Sequence, residues 1–237
     1  SKDERNLLVV VIAKVVKELF PSIVVVENVP AFLTRKVRHP LTKEPISAAN
    51  LLMSYLESCY VGFPILVDLC DYGVPQTRKR AFITFIRRDI EGLNKLLSQN
   101  RSPYPRPTHA IEYGGHPIKL KEALNRSGLP SLDAVSSETA SICGYHGLHS
   151  VPVWKERQYK MVAAIPPHSG ASAWENNECE KCGKVDASEN DVYCPICSEP
   201  LLRPIVKNKD GTYRFIKGFR TSSYRRMSPD KPASTVT

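Results

Sequence analysis

Four cysteines, Cys179, Cys182, Cys194 and Cys197, stand as two Cys-x-x-Cys pairs. Each pair can present two thiolates from a tight knuckle, and Lys184 to Tyr193 between them is long enough for a hairpin that brings the knuckles together. A tetrahedral zinc site with four protein thiolates leaves no position open to substrate, so such a zinc is structural and supplies folding energy to a small core. Four free thiols, two redox pairs or an iron–sulfur cluster are the alternatives. A second group is Glu27-Asn28, at the carboxyl end of the β-branched run Ile23 to Val26, where an open α/β sheet places ligands and chemistry. Glu27 is therefore a candidate acid, against the simpler reading that an acidic residue ends a strand before a turn. In the third group Gly73 and Pro75 shape a tight loop, and Gln76, Arg78 and Arg80 alternate as the chain enters a strand. Guanidinium forks fixed at one side of a strand end suit a phosphate or a base carbonyl, the alternative being an exposed basic turn.

The elements that must hold these groups follow from periodicity. Leu7, Leu8, Val11, Ile12, Val15, Val16 and Leu19 predict one face of a helix over 3–19, capped by Asp3 and ended by Pro21. The run from Ile23 predicts a strand buried on both faces. A basic loop (Arg35, Lys36, Arg38, His39) leads to a helix over about 47–59, with Leu51, Leu52, Tyr55 and Leu56 inward. Strands over 60–69, with Pro64 marking an edge or bulge, and over 81–86, then a helix over 89–97, complete the pattern of a layered α/β domain. Ser102 to Pro107 reads as a stiff connector and a domain boundary, beyond which only 119–125 predicts a helix.

At 237 residues with 42% hydrophobic content, the chain can bury a substantial core. Its 33 Lys and Arg against 24 Asp and Glu give a net charge of +9, which favours a polyanionic partner. Nine of those cations lie between Arg203 and Lys231, directly after the knuckles, against two acids, Asp210 and Asp230. No apolar run long enough to span a membrane is found, and no secretory leader, so the seven cysteines are expected in a reducing compartment.

In order and spacing, Asp3-x-Arg5-x-x-Leu8, the strand into Glu27-Asn28-Val29-Pro30, and Tyr72-Gly73-Val74-Pro75-Gln76-x-Arg78-x-Arg80 resemble DNA cytosine methyltransferases that modify carbon 5. Pro107-Thr108-His109, Leu120 to Leu124 and Arg226 to Thr237 are similar to further segments of bacterial and archaeal members. The resemblance implies a Rossmann-like, S-adenosylmethionine-dependent catalytic domain over 1–100 and a mostly irregular and β target-recognition domain over 101–222. That second domain holds the zinc knuckles, and 223–237 returns to the catalytic domain. It implies a prokaryotic cytoplasmic protein acting on double-stranded DNA.

In that family a thiolate adds to carbon 6 of a flipped-out cytosine and carbon 5 takes the methyl group. Glu27 matches the group that protonates ring nitrogen 3 from a dry pocket. Arg80 matches the arginine aimed at the base carbonyl, and Gln76 and Arg78 match residues that brace the loop and nearby DNA contacts. Leu8 matches a residue beside the cofactor's adenosine, and Asn28 one that orders the loop. Tyr213 and Arg214, presented by the zinc hairpin, are expected to face the duplex. The family's FxGxG cofactor loop and Pro-Cys-Gln nucleophile loop are not in this sequence. The chain alone is therefore expected to bind cofactor weakly and not to methylate. It would be a fragment, a chain lacking its ends, or a subunit completed by a complementary chain carrying both loops. A zinc-containing DNA-binding module without catalysis and an RNA cytosine methyltransferase are the competing readings.

Overall fold

The computed structural model describes residues 8–141, 147–167, 169–217 and 224–235. Asp3, Arg5, Cys143, Arg220, Val236 and Thr237 lie outside them. The chain forms two compact units, Ser1–Pro117 and Ile118–Thr237.

In the first unit, helix α1 (Leu8–Leu19) precedes strand β1 (Ile23–Asn28). The helix buries Val9, Ala13 and Val16 against the core, while Leu8, Val11, Ile12, Val15 and Leu19 stay exposed. The expected inward face was thus nearly the wrong one: the helix is apolar on most sides, and small Ala13 lets the backbone approach α3 closely. A short helix α2 (Ala31–Thr34) and the hairpin β2 (Lys36–Arg38) and β3 (Pro45–Ser47) follow. Helix α3 (Ala48–Leu56) starts where the Ser47 hydroxyl accepts the Asn50 amide at 3.0 Å, a side-chain cap. Leu51, Leu52 and Leu56 are all but inaccessible to solvent.

Strand β4 (Tyr60–Asp68), the short β5 (Gln76–Thr77) and strand β6 (Lys79–Arg87) come next. The three-stranded sheet runs β1-β6-β4, with β6 antiparallel to both neighbours. The ten residues between β4 and β6 are too few for a crossover, so β6 folds straight back beside β4. The longer path through α3 lets β4 run parallel to β1. Pro64 lies on β4, at an edge of this sheet, where a residue lacking an amide hydrogen is tolerated.

β1 is not buried on both faces. Val24 and Val26 pack on the core under α3, whereas Ile23, Val25 and Glu27 are exposed on the outer side. β6 alternates with it: Ala81, Ile83 and Phe85 are buried, and the Tyr104 hydroxyl accepts the Thr84 amide at 2.8 Å and donates to the Phe63 carbonyl at 2.6 Å. The proline-rich stretch therefore packs with the first unit. Helix α4 (Glu91–Ser98) completes the regular elements before it.

The second unit has helices α5 (Leu120–Ser127) and α6 (Glu156–Ala163), the latter not expected from the sequence. Two strand pairs follow, β7 (Glu178–Cys179) with β8 (Gly183–Lys184), and β9 (Ile205–Lys207) with β10 (Tyr213–Phe215). The amides of Leu120 and Lys121 donate to the carbonyls of Lys231 and Pro229, so two segments noted in the sequence meet here. No helix among the described residues is long and apolar enough to cross a membrane.

Candidate active site and metal centre

Register places the first site. Glu27 on β1 lies opposite Phe82 on β6, and Arg80, two residues earlier on β6, is its diagonal neighbour on the same outer face. The Arg80 Nε meets Glu27 Oε1 at 2.6 Å. Arg80 is largely covered at 16% side-chain exposure, but Glu27 is 52% exposed. The dry pocket expected around Glu27 is thus not closed by the described residues, because the outer face of β1 is uncovered there. Asn28 Oδ1 accepts the Val29 amide at 2.8 Å and orders the turn after the strand.

The loop before β6 is fixed mostly through its backbone. Asp68 Oδ1 accepts the Arg78 amide at 3.0 Å, the Arg78 carbonyl accepts the Leu69 amide, and the Gln76 amide donates to the Val74 carbonyl. Gly73 has φ +86°, and a Cβ there would come within 2.8 Å of the His109 ring. The His109 amide in turn donates to the Asp71 carbonyl at 2.8 Å, so the Pro107-Thr108-His109 segment braces the Gln76–Arg80 loop. Asp68 and His109 were not singled out as site residues. Asp68 carried the same sign as Glu27, an acid closing an apolar strand.

On the inner side, Leu8, Ile12, Val26, Asn28, Val29 and Phe32 help line a cleft of about 350 Å³. Leu8 and Glu27-Asn28 are thereby brought to the same end of β1. Burial pushes the Cys70 thiol, at the start of the loop, up to about 11, helped by the neighbouring Asp68 carboxylate.

In the second unit the Sγ atoms of Cys179, Cys182, Cys194 and Cys197 all lie within 4.8 Å of one another, and those of Cys179 and Cys197 are 3.6 Å apart. Thiolates about 2.3 Å from a tetrahedral ion would stand about 3.8 Å from each other, so the cluster has the dimensions of a site that could hold a metal. The Ile196 amide points at Cys194 Sγ at 3.4 Å, as expected of a knuckle turning around its ligand. Around the sulfurs, Val185 and Leu201 are the other buried apolar members of the cluster among the described residues.

Arg203 departs most from its expected place. Counted among nine cations available to a polyanion, it is 2% exposed. Its guanidinium donates to the carbonyls of Asn176, Ser188 and Asp191 at 2.7, 2.5 and 2.7 Å and to Asn177 Oδ1 at 2.8 Å. Those partners flank the first knuckle and close the loop before the second. Nothing in the sequence separates Arg203 from the exposed cations near it.

The β9–β10 hairpin begins just after Arg203. Tyr213 and Phe215 turn toward the unit, where Phe215 stacks on buried Trp174 with ring centres 5.5 Å apart. Arg214 is exposed and donates from Nε to Asn208 Oδ1 at 3.0 Å. At the turn, Asp210 Oδ1 accepts both the amide and the hydroxyl of Thr212 at 2.9 and 2.6 Å. The Thr212 hydroxyl first, then its amide, hold the Asp210 carboxyl below the ordinary carboxylate range.

Comparison with known proteins gives these sites a setting. The model of the family described as C-5 cytosine-specific DNA methylase matches residues 1–230. The Type II methyltransferase M1.HgaI of Avibacterium volantium is 27% identical over all of this chain and 50% of its own length. M.DdeI of Desulfomicrobium norvegicum is 32% identical over 56% of this chain and 29% of its own. M.BsuRI of Bacillus subtilis is 26% identical over 79% and 40%. The chain spans half or less of the length of these relatives.

Proposed function

The chain belongs to the C-5 cytosine-specific DNA methylase family, and from that premise we propose that it forms the base-activating and sequence-reading part of an enzyme that methylates cytosine at carbon 5 in duplex DNA. The observation that carries this reading is the Glu27–Arg80 pair, 2.6 Å apart at the carboxyl end of β1. With a flipped cytosine against this face, the Glu27 carboxyl meets ring nitrogen 3 and the Arg80 guanidinium meets the base carbonyl. Nitrogen 3 then takes a proton or hydrogen bond as a nucleophile adds to carbon 6, so negative charge does not build on the ring. Gln76 and Arg78 sit on the braced loop beside them and contact the DNA backbone nearby.

S-adenosylmethionine supplies the methyl group when bound. The cleft at Leu8, lined mostly by apolar side chains together with Asn28, fits the adenosine side of such a cofactor. The nucleophilic thiolate and the rest of the cofactor site are assigned to the part of the relatives' length that this chain does not span, carried on a longer chain or a complementary one. The four cysteines bind zinc as a structural ion, and the β9–β10 hairpin presents Arg214, held by Tyr213, to the duplex. The Type II relatives support a role beside a restriction enzyme.

In the full-length enzyme, Glu27→Gln is expected to keep duplex affinity and lower methyl transfer by about a hundredfold or more. Single-turnover transfer to duplex DNA measures this, and unchanged turnover rules out the assigned role. Parallel assays on transfer RNA separate a DNA substrate from an RNA one.

A further inference from the structure

We infer that Tyr193 is a positioning residue for sequence choice: its hydroxyl ties the metal knuckle to the hairpin that carries Arg214. This rests on the reading of that hairpin as the DNA-facing element. A hairpin of two three-residue strands cannot fix its own orientation in water, so whatever anchors it sets where Arg214 points. Beside the Trp174–Phe215 stack, the anchor nearest Arg214 is the knuckle. Tyr193 immediately precedes the ligand Cys194, whose amide donates to the Glu199 carbonyl at 2.7 Å, and Tyr193 itself bridges to Pro200 across the turn. Its hydroxyl accepts the Tyr213 amide at 2.6 Å, and the two rings meet edge to face with centres 6.4 Å apart.

From the other side, the Arg157 guanidinium on α6 lies 5.8 Å from the centre of the Tyr213 ring. Arg157 also donates to the Leu201 carbonyl at 2.7 Å and stands 3.8 Å from Glu180, between the ligands of the first knuckle. Tyr213 is therefore gripped from both knuckles, and Arg214, the next residue along an alternating strand, projects away from that grip. Metal occupancy, Tyr193 and the direction of Arg214 form one mechanical chain.

The test uses the full-length enzyme on a library of randomised duplexes, with methylation read by sequencing as the preference for the winning sequence over the rest. Tyr193→Phe removes only the hydroxyl. It is expected to keep one zinc per chain by metal analysis and to lower the preference about fivefold, the factor set by one typical hydrogen bond. In an Arg214→Ala background, Tyr193→Phe is expected to lower it no further, because both changes act through one contact. If Tyr193→Phe leaves the preference intact while Arg214→Ala lowers it, the coupling is overturned and the DNA-facing hairpin stands. Losses that add in the double variant overturn it as well, by making Tyr193 an independent contact, as does loss of zinc from Tyr193→Phe. If Arg214→Ala itself leaves the preference unchanged, the hairpin reading falls and takes this inference with it.

Discussion

The core of the first unit and the knuckle region of the second solve the same physical problem by opposite means. The first excludes water with apolar side chains: Leu51, Leu52, Leu56, Ile83 and Phe85 form a core between α3 and the sheet. Around the knuckles, the second unit has little to exclude water with. Val185 and Leu201 are its buried aliphatics there, and order comes from four sulfurs and the buried guanidinium of Arg203. A core built on burial tolerates small changes of shape. A core built on ligands and a charged fork has a few contacts that each carry a large share of the stability, and it holds the flanking loops without needing a regular fold.

The largest break in that comparison should come from removing the proposed zinc site. With Cys179 and Cys194 both changed to Ser, the proposed zinc would contribute none of its binding energy, on the order of 10 kcal/mol, and the knuckle region with the packing around Trp174 is expected to lose its tertiary structure. Both tryptophans, Trp154 and Trp174, lie in the second unit, so fluorescence follows it alone while far-ultraviolet dichroism keeps the helical signal of the first. A fully folded double variant that retains its tryptophan emission refutes a structural site.

A smaller effect sharpens the comparison. Arg203→Lys keeps the charge and loses the fork, leaving several carbonyls without donors, at a cost of roughly 3 kcal/mol in denaturant unfolding followed by tryptophan emission. If the second unit were held by ordinary burial, that substitution would cost far less.

The smallest effect is confined to the hairpin turn. Because the folded Asp210 carboxyl titrates below its ordinary value, its contribution is fully present above that value, near pH 4, and is lost as pH falls through the depressed one. The protection of the Thr212 amide, its exchange measured against the intrinsic rate at the same pH, should fall only in that acid window. Asp210→Asn should remove this pH dependence, and protection that falls at neutral pH in the unchanged protein would contradict the assignment.

The elements of the first unit were legible because helix and strand periods are local: the α3 face and strands β4 and β6 were expected within a few residues of where they lie, though the Ser47 cap was not singled out. The buried face of α1 was not, since a helix with Leu, Val or Ile on most sides offers no contrast, and packing against α3 made the choice. Nor was the exposed outer face of β1, because a run of β-branched residues looks the same whether one face is covered or both. Of the candidate sites, the cysteine spacing foretold a compact cluster, whereas the pairing of Glu27 with Arg80 follows from strand register, which local sequence does not record. Arg203 and Tyr193 were hidden because their roles depend on carbonyls and amides, which every residue has and no motif records.

The buried fork of Arg203 also bears on where this chain can change. A guanidinium that reaches the carbonyls of Asn176, Ser188 and Asp191 together acts as a ruler between the two knuckles, so adding or deleting one residue in 184–193 would move an acceptor out of reach. The turn of the following hairpin, Asn208 to Gly211, is under no such measure and is exposed at Lys209, Asp210 and Gly211. Length variation that alters recognition is therefore expected at the hairpin tip, while the span between the knuckles stays fixed.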